Sequence, residues 1–100
     1  MILYSVTVNI DTDVENEWLD WMKSEHIPDV MATGMFVEYK FYRLLHETED
    51  GGVNYSVQYF AESIDRIQQY QTEFATKLQE EVKKRYDGKY VVFRSLLESV

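Results

Sequence analysis

No cysteine occurs in the 100 residues, which excludes disulfides, thiolate nucleophiles and cysteine-ligated metal sites. Proline occurs once, at Pro28, and glycine four times. Two of those glycines are adjacent, Gly51-Gly52, and read as a turn; no GxGxxG or other phosphate-cradling loop exists. The only histidines are His26 and His46. They form no HxH or HExxH pattern, so no metal is expected, and no cofactor either. Bases are scarce: ten against eighteen acids, a formal charge of −8. Such a surface repels phosphate backbones and anionic lipid, so neither nucleic acid nor a membrane is an expected partner. No apolar run approaches the roughly 20 residues of a membrane-spanning helix. The start, MILYSVTVNID, lacks the basic region and cleavage site of a signal peptide, and a cytoplasmic protein is the expectation.

What is present is an apolar share of 45% with fifteen aromatic residues, eight of them tyrosine. That composition argues for a globular chain, read as one domain over residues 1–100. A chain of this size buries roughly 60–70% of the surface its unfolded form exposes. The margin is modest, and a subunit interface would widen it.

Residues 2–10 alternate, with Ile2, Tyr4, Val6, Val8 and Ile10 on one side, which predicts a half-buried strand. Asp11-Thr12-Asp13 offers side chains to cap a following helix, and Glu15 and Glu17 suit its first turn. Val14, Trp18, Met22 and His26 recur every four residues as one helical stripe, with Trp21 beside it. Ile27-Pro28 predicts a break or kink, then a short helical piece ending at Gly34. A strand pattern covers 35–46, with Val37, Tyr39, Phe41, Arg43 and Leu45 on one face. A hairpin signal follows over 47–52 with Asp50-Gly51 inside it. Strand alternation returns over 53–60. Ser63 is a good cap for a helix over 64–86, whose stripe reads Ile64, Ile67, Gln71, Phe74, Leu78 and Val82, with Tyr70 and Ala75 at its margin. Asp87-Gly88 ends it. Residues 89–97 are apolar on both faces, the mark of a central or doubly covered strand.

The order is β-α-β-β-α-β, and Tyr4-Ser5-Val6 recurs as Tyr55-Ser56-Val57. Two such halves give a ferredoxin-like α+β sandwich: a four-stranded antiparallel sheet with two helices on one face. The uncovered face would carry Leu3, Ser5, Thr7, Phe36, Glu38, Lys40, Tyr42, Asn54, Ser56, Gln58 and Phe60. It holds few charges for a solvated sheet face. The expectation is that a second copy covers it, sheet against sheet, as a homodimer.

Two sheets packed in that way form a dimeric α+β barrel, and here the chain resembles a known group. Trp21-x-x-x-Glu25-His26-x-Pro28 is similar to the W…EHxP signature that follows the first helix in EthD-like and stress-responsive barrel proteins. Over its whole length the chain resembles a family of short bacterial proteins known only as a domain of unknown function. MILYSVTVNI, WLDWMKSEHIPDVMATGMF, GGVNYSVQYF and YVVFRSLLE carry that likeness. The resemblance implies the dimeric barrel fold. It implies no single activity, because the wider group includes cofactor-free monooxygenases, haem-degrading enzymes, isomerases and plain ligand-binding domains.

By the same resemblance His26 would border a pocket between helix and sheet. Its place in the Val14–Trp18–Met22 stripe also points it at the sheet. There it would meet some of Tyr4, Tyr39, Tyr55 and Tyr59. An imidazole beside aromatic walls suits proton abstraction from a small aromatic or enolic acid. Alternatively, His26 satisfies last-turn carbonyls at a helix end. Trp18, Trp21 and Met22 are substrate walls or core. Arg43, in an apolar row, would clamp a substrate carboxylate, pair with Glu47 or Asp50, or reach solvent. Three functions remain open on these residues: a cofactor-free oxygenase or isomerase, a ligand-binding or sensory barrel without chemistry, and a purely structural dimer.

Overall fold

The structure is a computed structural model and describes residues 1–45 and 51–100. Four strands, β1 (Ile2–Ile10), β2 (Glu38–Arg43), β3 (Val53–Ala61) and β4 (Tyr90–Glu98), form one open sheet in the order β2-β3-β1-β4. Every neighbouring pair is antiparallel. The helices are α1 (Glu15–Trp21), α2 (Ile27–Ala32), α3 (Ile64–Glu73) and α4 (Ala75–Tyr86), with a π-helical turn over Met22–His26 joining the first two. This is the ferredoxin-like α+β arrangement that the alternation predicts.

Register puts the large residues on one face. Tyr4 lies opposite Tyr59 and Leu96, and Val8 lies opposite Tyr55 and Val92. Tyr4, Val8, Ile10, Tyr55, Val57 and Tyr59 are all buried, beneath Trp18, Trp21, Met22, Ile67 and Tyr70 from the helices. The other face carries Ser5, Thr7, Asn9, Ser56 and Gln58 at its centre. Towards the β4 side it leaves Val91, Phe93 and Leu97 half or more exposed.

Several local expectations are corrected. Residues 11–13 do not cap α1: Val14 occupies the cap position and no side chain bonds there. Asp13 instead pairs with Lys89 at 3.0 Å. Pro28 does not break the helix. His26 and Ile27 both keep right-handed helical backbone angles. The missing N–H and the ring of Pro28 are accommodated because the preceding turn widens to π geometry. Phe36 does not belong to the uncovered face. It precedes β2, is buried, and stacks on Tyr4 with ring centroids 6.0 Å apart.

The long second helix is two helices, with Phe74 at φ −127° and ψ −34° between them. No proline or glycine causes that bend, so the sequence carries no signal for it. Tyr70 and Ala75 are buried, while Gln71 and Ile64 face outward. Ser63 takes the predicted cap position of α3, in extended geometry, without a side-chain bond. The strand expected over 35–46 is shorter, and its hairpin signal at Glu47–Asp50, like His46, lies outside the described residues. Gly52, at φ +72°, sits where a Cβ would come within 2.8 Å of the Ile10 carbonyl oxygen, so only glycine fits beside the end of β1.

The largest correction concerns β4. It is an edge strand, not a central one, and Phe93 remains 65% exposed. Its two-faced apolarity therefore has a different cause: Tyr90 and Val92 pack under the helices, while Val91, Phe93 and Leu97 lie on the bare side of the sheet.

Candidate functional site

The helical arm from Glu15 to Ala32 crosses the sheet and leaves a small cavity beneath it. Tyr4, Val8, Val57 and Tyr59 form its floor. Trp18, Met22, His26 and Val30 form one wall, with Tyr70, Gln79 and Val82 on another. Tyr90, Val92 and Arg94 from β4 complete it. The volume is about 50 Å³, room for a few water molecules and well below the roughly 300 Å³ at which drug-sized sites begin.

The π turn is what aims His26 into this space. A wider turn keeps residues four apart on nearly one line, so His26 stays under Met22 and Trp18 despite the proline two positions on. The imidazole stacks on Trp21, centroids 5.2 Å apart and planes 30° from parallel. Trp21 is braced in turn by the Arg85 guanidinium at 5.0 Å and the edge of Tyr86 at 5.7 Å. Nδ1 of His26 is buried without a hydrogen-bond partner. Burial drives the imidazole pKa down from 6.5 to about 4. The carboxylate of Asp29 works against that shift, and the charge of Arg94 adds to it. His26 is thus neutral at neutral pH, with a lone ring nitrogen unsatisfied.

Burial also raises the phenol pKa of Tyr4, Tyr59 and Tyr70. Nearby Arg94 opposes the shift at Tyr4 and at Tyr70, and Gln79 does so at Tyr4. The cavity therefore presents neutral hydroxyls and a neutral imidazole around one guanidinium.

Of the residues singled out from sequence, His26, Trp18, Met22, Tyr4 and Tyr59 line this cavity. Trp21 stands behind His26 and does not. Tyr39 is 45% exposed at the edge of β2. Arg43 is exposed too and belongs elsewhere. Its Nε–H donates to the Tyr55 hydroxyl at 3.2 Å, and that hydroxyl donates to the Glu15 carboxylate. Arg43 and Tyr55 border a surface cleft of about 230 Å³ with Leu19, Lys23 and Phe41. The Trp18–Tyr55 ring pair, at 5.1 Å, stands between cleft and cavity. The expected alignment of Arg43 with His26 on one substrate is therefore not present. Glu47 and Asp50, the other partners considered for Arg43, are outside the described residues.

The residue that sequence reasoning missed is Arg94. Its signal was there: a single base interrupting the apolar run Tyr90–Leu97, in phase with Tyr90, Val92 and Leu96. Among the described residues, no group of three or more His, Asp or Glu side chains is placed to hold a metal ion.

A sequence-family profile described as a domain of unknown function, DUF4286, matches residues 1–100. No curated protein sequence matches the chain. Solved structures do. An EthD family protein from Bacillus halodurans superposes with a TM-score of 0.71 at 11% identity, covering 100% of both chains. A dimeric ferredoxin-like protein from an uncultured marine organism gives 0.69 at 16%, covering 100% of this chain and 95% of the other. SnoaB of Streptomyces nogalater, a cofactor-independent oxygenase solved as a mutant, gives 0.69 at 7%, covering 98% and 91%. At these identities the likeness speaks for the fold alone.

Proposed function

The chain belongs to the DUF4286 family, and from that membership we propose that two copies pair sheet to sheet as a barrel that binds a small molecule in each helix–sheet cavity. In the finer form of this reading, His26 is the acid/base of a cofactor-free oxygenase or isomerase type of reaction on a small aromatic or enolic acid. One observation carries it: Nδ1 of His26, buried and unpartnered, on the wall of the cavity. An unsatisfied buried nitrogen costs about 1–3 kcal/mol, a cost that a hydrogen-bonding ligand would remove. In the proposed step the C–H bond beside a ligand carbonyl breaks, its proton passes to the neutral imidazole, and its electron pair delocalises as an enolate. The enolate is then reprotonated, or reacts with dioxygen as co-substrate. The solved structure of a cofactor-independent oxygenase on the same fold supports that class of chemistry.

Pairing is supported by the exposed apolar edge of the bare face, Val91, Phe93 and Leu97, and by the dimeric ferredoxin-like neighbour. Phe93→Asp places a charge there, on the face of the sheet opposite the cavity. It is expected to convert a dimer to monomer in light scattering at micromolar concentration, and a wild-type monomer refutes the pairing.

The small cavity volume favours the competing reading, a structural dimer without a ligand. Hydrogen–deuterium exchange at the acidic C–H of candidate keto and enolic acids, followed by NMR, decides between them. Wild type is expected to accelerate exchange, and His26→Gln to abolish the acceleration while still perturbing ligand resonances. Exchange at the solvent rate with both proteins removes the catalytic role.

A further inference from the structure

Among the described residues the cavity holds one charged side chain, Arg94, in a chain of net charge −8. No carboxylate among the described residues lines it, and burial keeps His26 neutral and raises the phenol pKa of Tyr4, Tyr59 and Tyr70. Arg94 sits on β4 opposite Val6, one step along the same face from the Tyr4–Leu96 pair. Its charge bears on Tyr4 of β1, Tyr70 of α3 and His26 of the π turn. Three groups from three elements respond to the same guanidinium, which places it where they converge. Among the described residues the salt bridge is Lys89 to Asp13, and Arg94 has none. Arg94 itself is exposed, so its head stands at the mouth with the apolar walls beyond it.

We propose that Arg94 is the specificity-determining residue of this cavity, docking the carboxylate of a small organic monoanion whose body lies towards Trp18 and His26. The inference rests on the cavity being a ligand site, as proposed above. Guanidinium and carboxylate match as a planar fork and two acceptor oxygens, and a charge-assisted bond is worth roughly twice a neutral one. An acid is thereby chosen over its neutral amide of the same shape. The valine and tryptophan walls select an organic body, and an inorganic oxyanion with acceptors on every side would leave those acceptors unpaired against them. A carboxylate bound at Arg94 would also offset that guanidinium's charge, which adds to the burial that keeps His26 unprotonated, so docking would strengthen the base beside it.

The full chain is titrated with pyruvate and its neutral isostere pyruvamide, with benzoate and benzamide, and with inorganic phosphate. Tryptophan fluorescence and the imidazole C–H resonance of His26 are the readouts, on wild type, Arg94→Gln and Arg94→Lys. The expected result is an affinity for an acid at least tenfold above its amide. Arg94→Gln should lower the acid to the level of its amide and leave the amide unchanged, and Arg94→Lys should restore part of the difference. Equal binding of acid and amide to wild type overturns the assignment of Arg94 while leaving the cavity a ligand site. So does unchanged acid binding by Arg94→Gln. Tighter binding of phosphate than of either acid overturns the organic ligand. If no probe moves the His26 resonance, the ligand site itself falls, and the assignment with it.

Discussion

Trp18→Ala is expected to lower the stability of the protein by about 3–5 kcal/mol, the usual cost of truncating a buried tryptophan. The side chain is 1% exposed. It meets Phe41 edge-on at 5.9 Å and Tyr55 at 5.1 Å. Its removal does more than leave a void. The ring separates the His26 cavity from the cleft beside Arg43, so the two spaces would merge and water would reach the floor of Tyr4 and Tyr59. Against a typical margin of about 5–15 kcal/mol, such a loss removes between about a fifth and all of the stability. Urea titration reads the effect as a shift in midpoint at constant slope. Leu45→Ala, at a residue 90% exposed, is the control and should move the midpoint by no more than about 0.5 kcal/mol. A Trp18→Ala shift under 1 kcal/mol would show that the ring is not a keystone of the core.

Acid should unfold the protein through His26. The imidazole pKa falls from 6.5 to about 4 on folding, chiefly by burial, so between those values the unfolded chain binds a proton that the native chain refuses. Stability therefore falls as pH drops from 6.5 towards 4 and levels off below, a total of about 3 kcal/mol from this group. Comparing pH 7.5 with pH 5 isolates most of it before the carboxylates titrate: wild type is expected to lose about 2 kcal/mol from His26 over that interval. His26→Gln has no such proton to bind and should lose correspondingly less. Parallel losses in the two proteins would mean that the imidazole is solvated in the native state.

The sequence showed the sheet and the helical face because both rest on local periodicity. Alternation over 2–10 and 53–60 named the buried row from Tyr4 to Tyr59, and the four-residue spacing from Val14 to His26 named the stripe above it. What stayed hidden depends on relations between elements. Nothing near Phe74 marks the bend, and the margin residue Tyr70 is buried where the stripe residue Gln71 is not. An apolar β4 reads alike whether neighbouring strands or a second subunit cover it, so its edge position was misread. Arg43 and Arg94 each interrupt an apolar row. Only the register of β4 on β1, with Arg94 facing Val6, shows which one reaches His26, while Arg43 is held by Tyr55 at the opposite side of Trp18.

The pairing of β1 with β4 sets how the chain finds its fold. β1 is a middle strand, flanked by β3 and β4, and Ile2 lies opposite Glu98. Nearly the whole described chain must therefore loop back before half of the backbone bonds of β1 can form. Closing so long a loop costs entropy before any contact repays it, and topologies of this kind fold in milliseconds to seconds rather than microseconds. Until β4 arrives, one backbone edge of β1 lies unpaired, so the interval before closure is when the chain is most exposed to association with its neighbours.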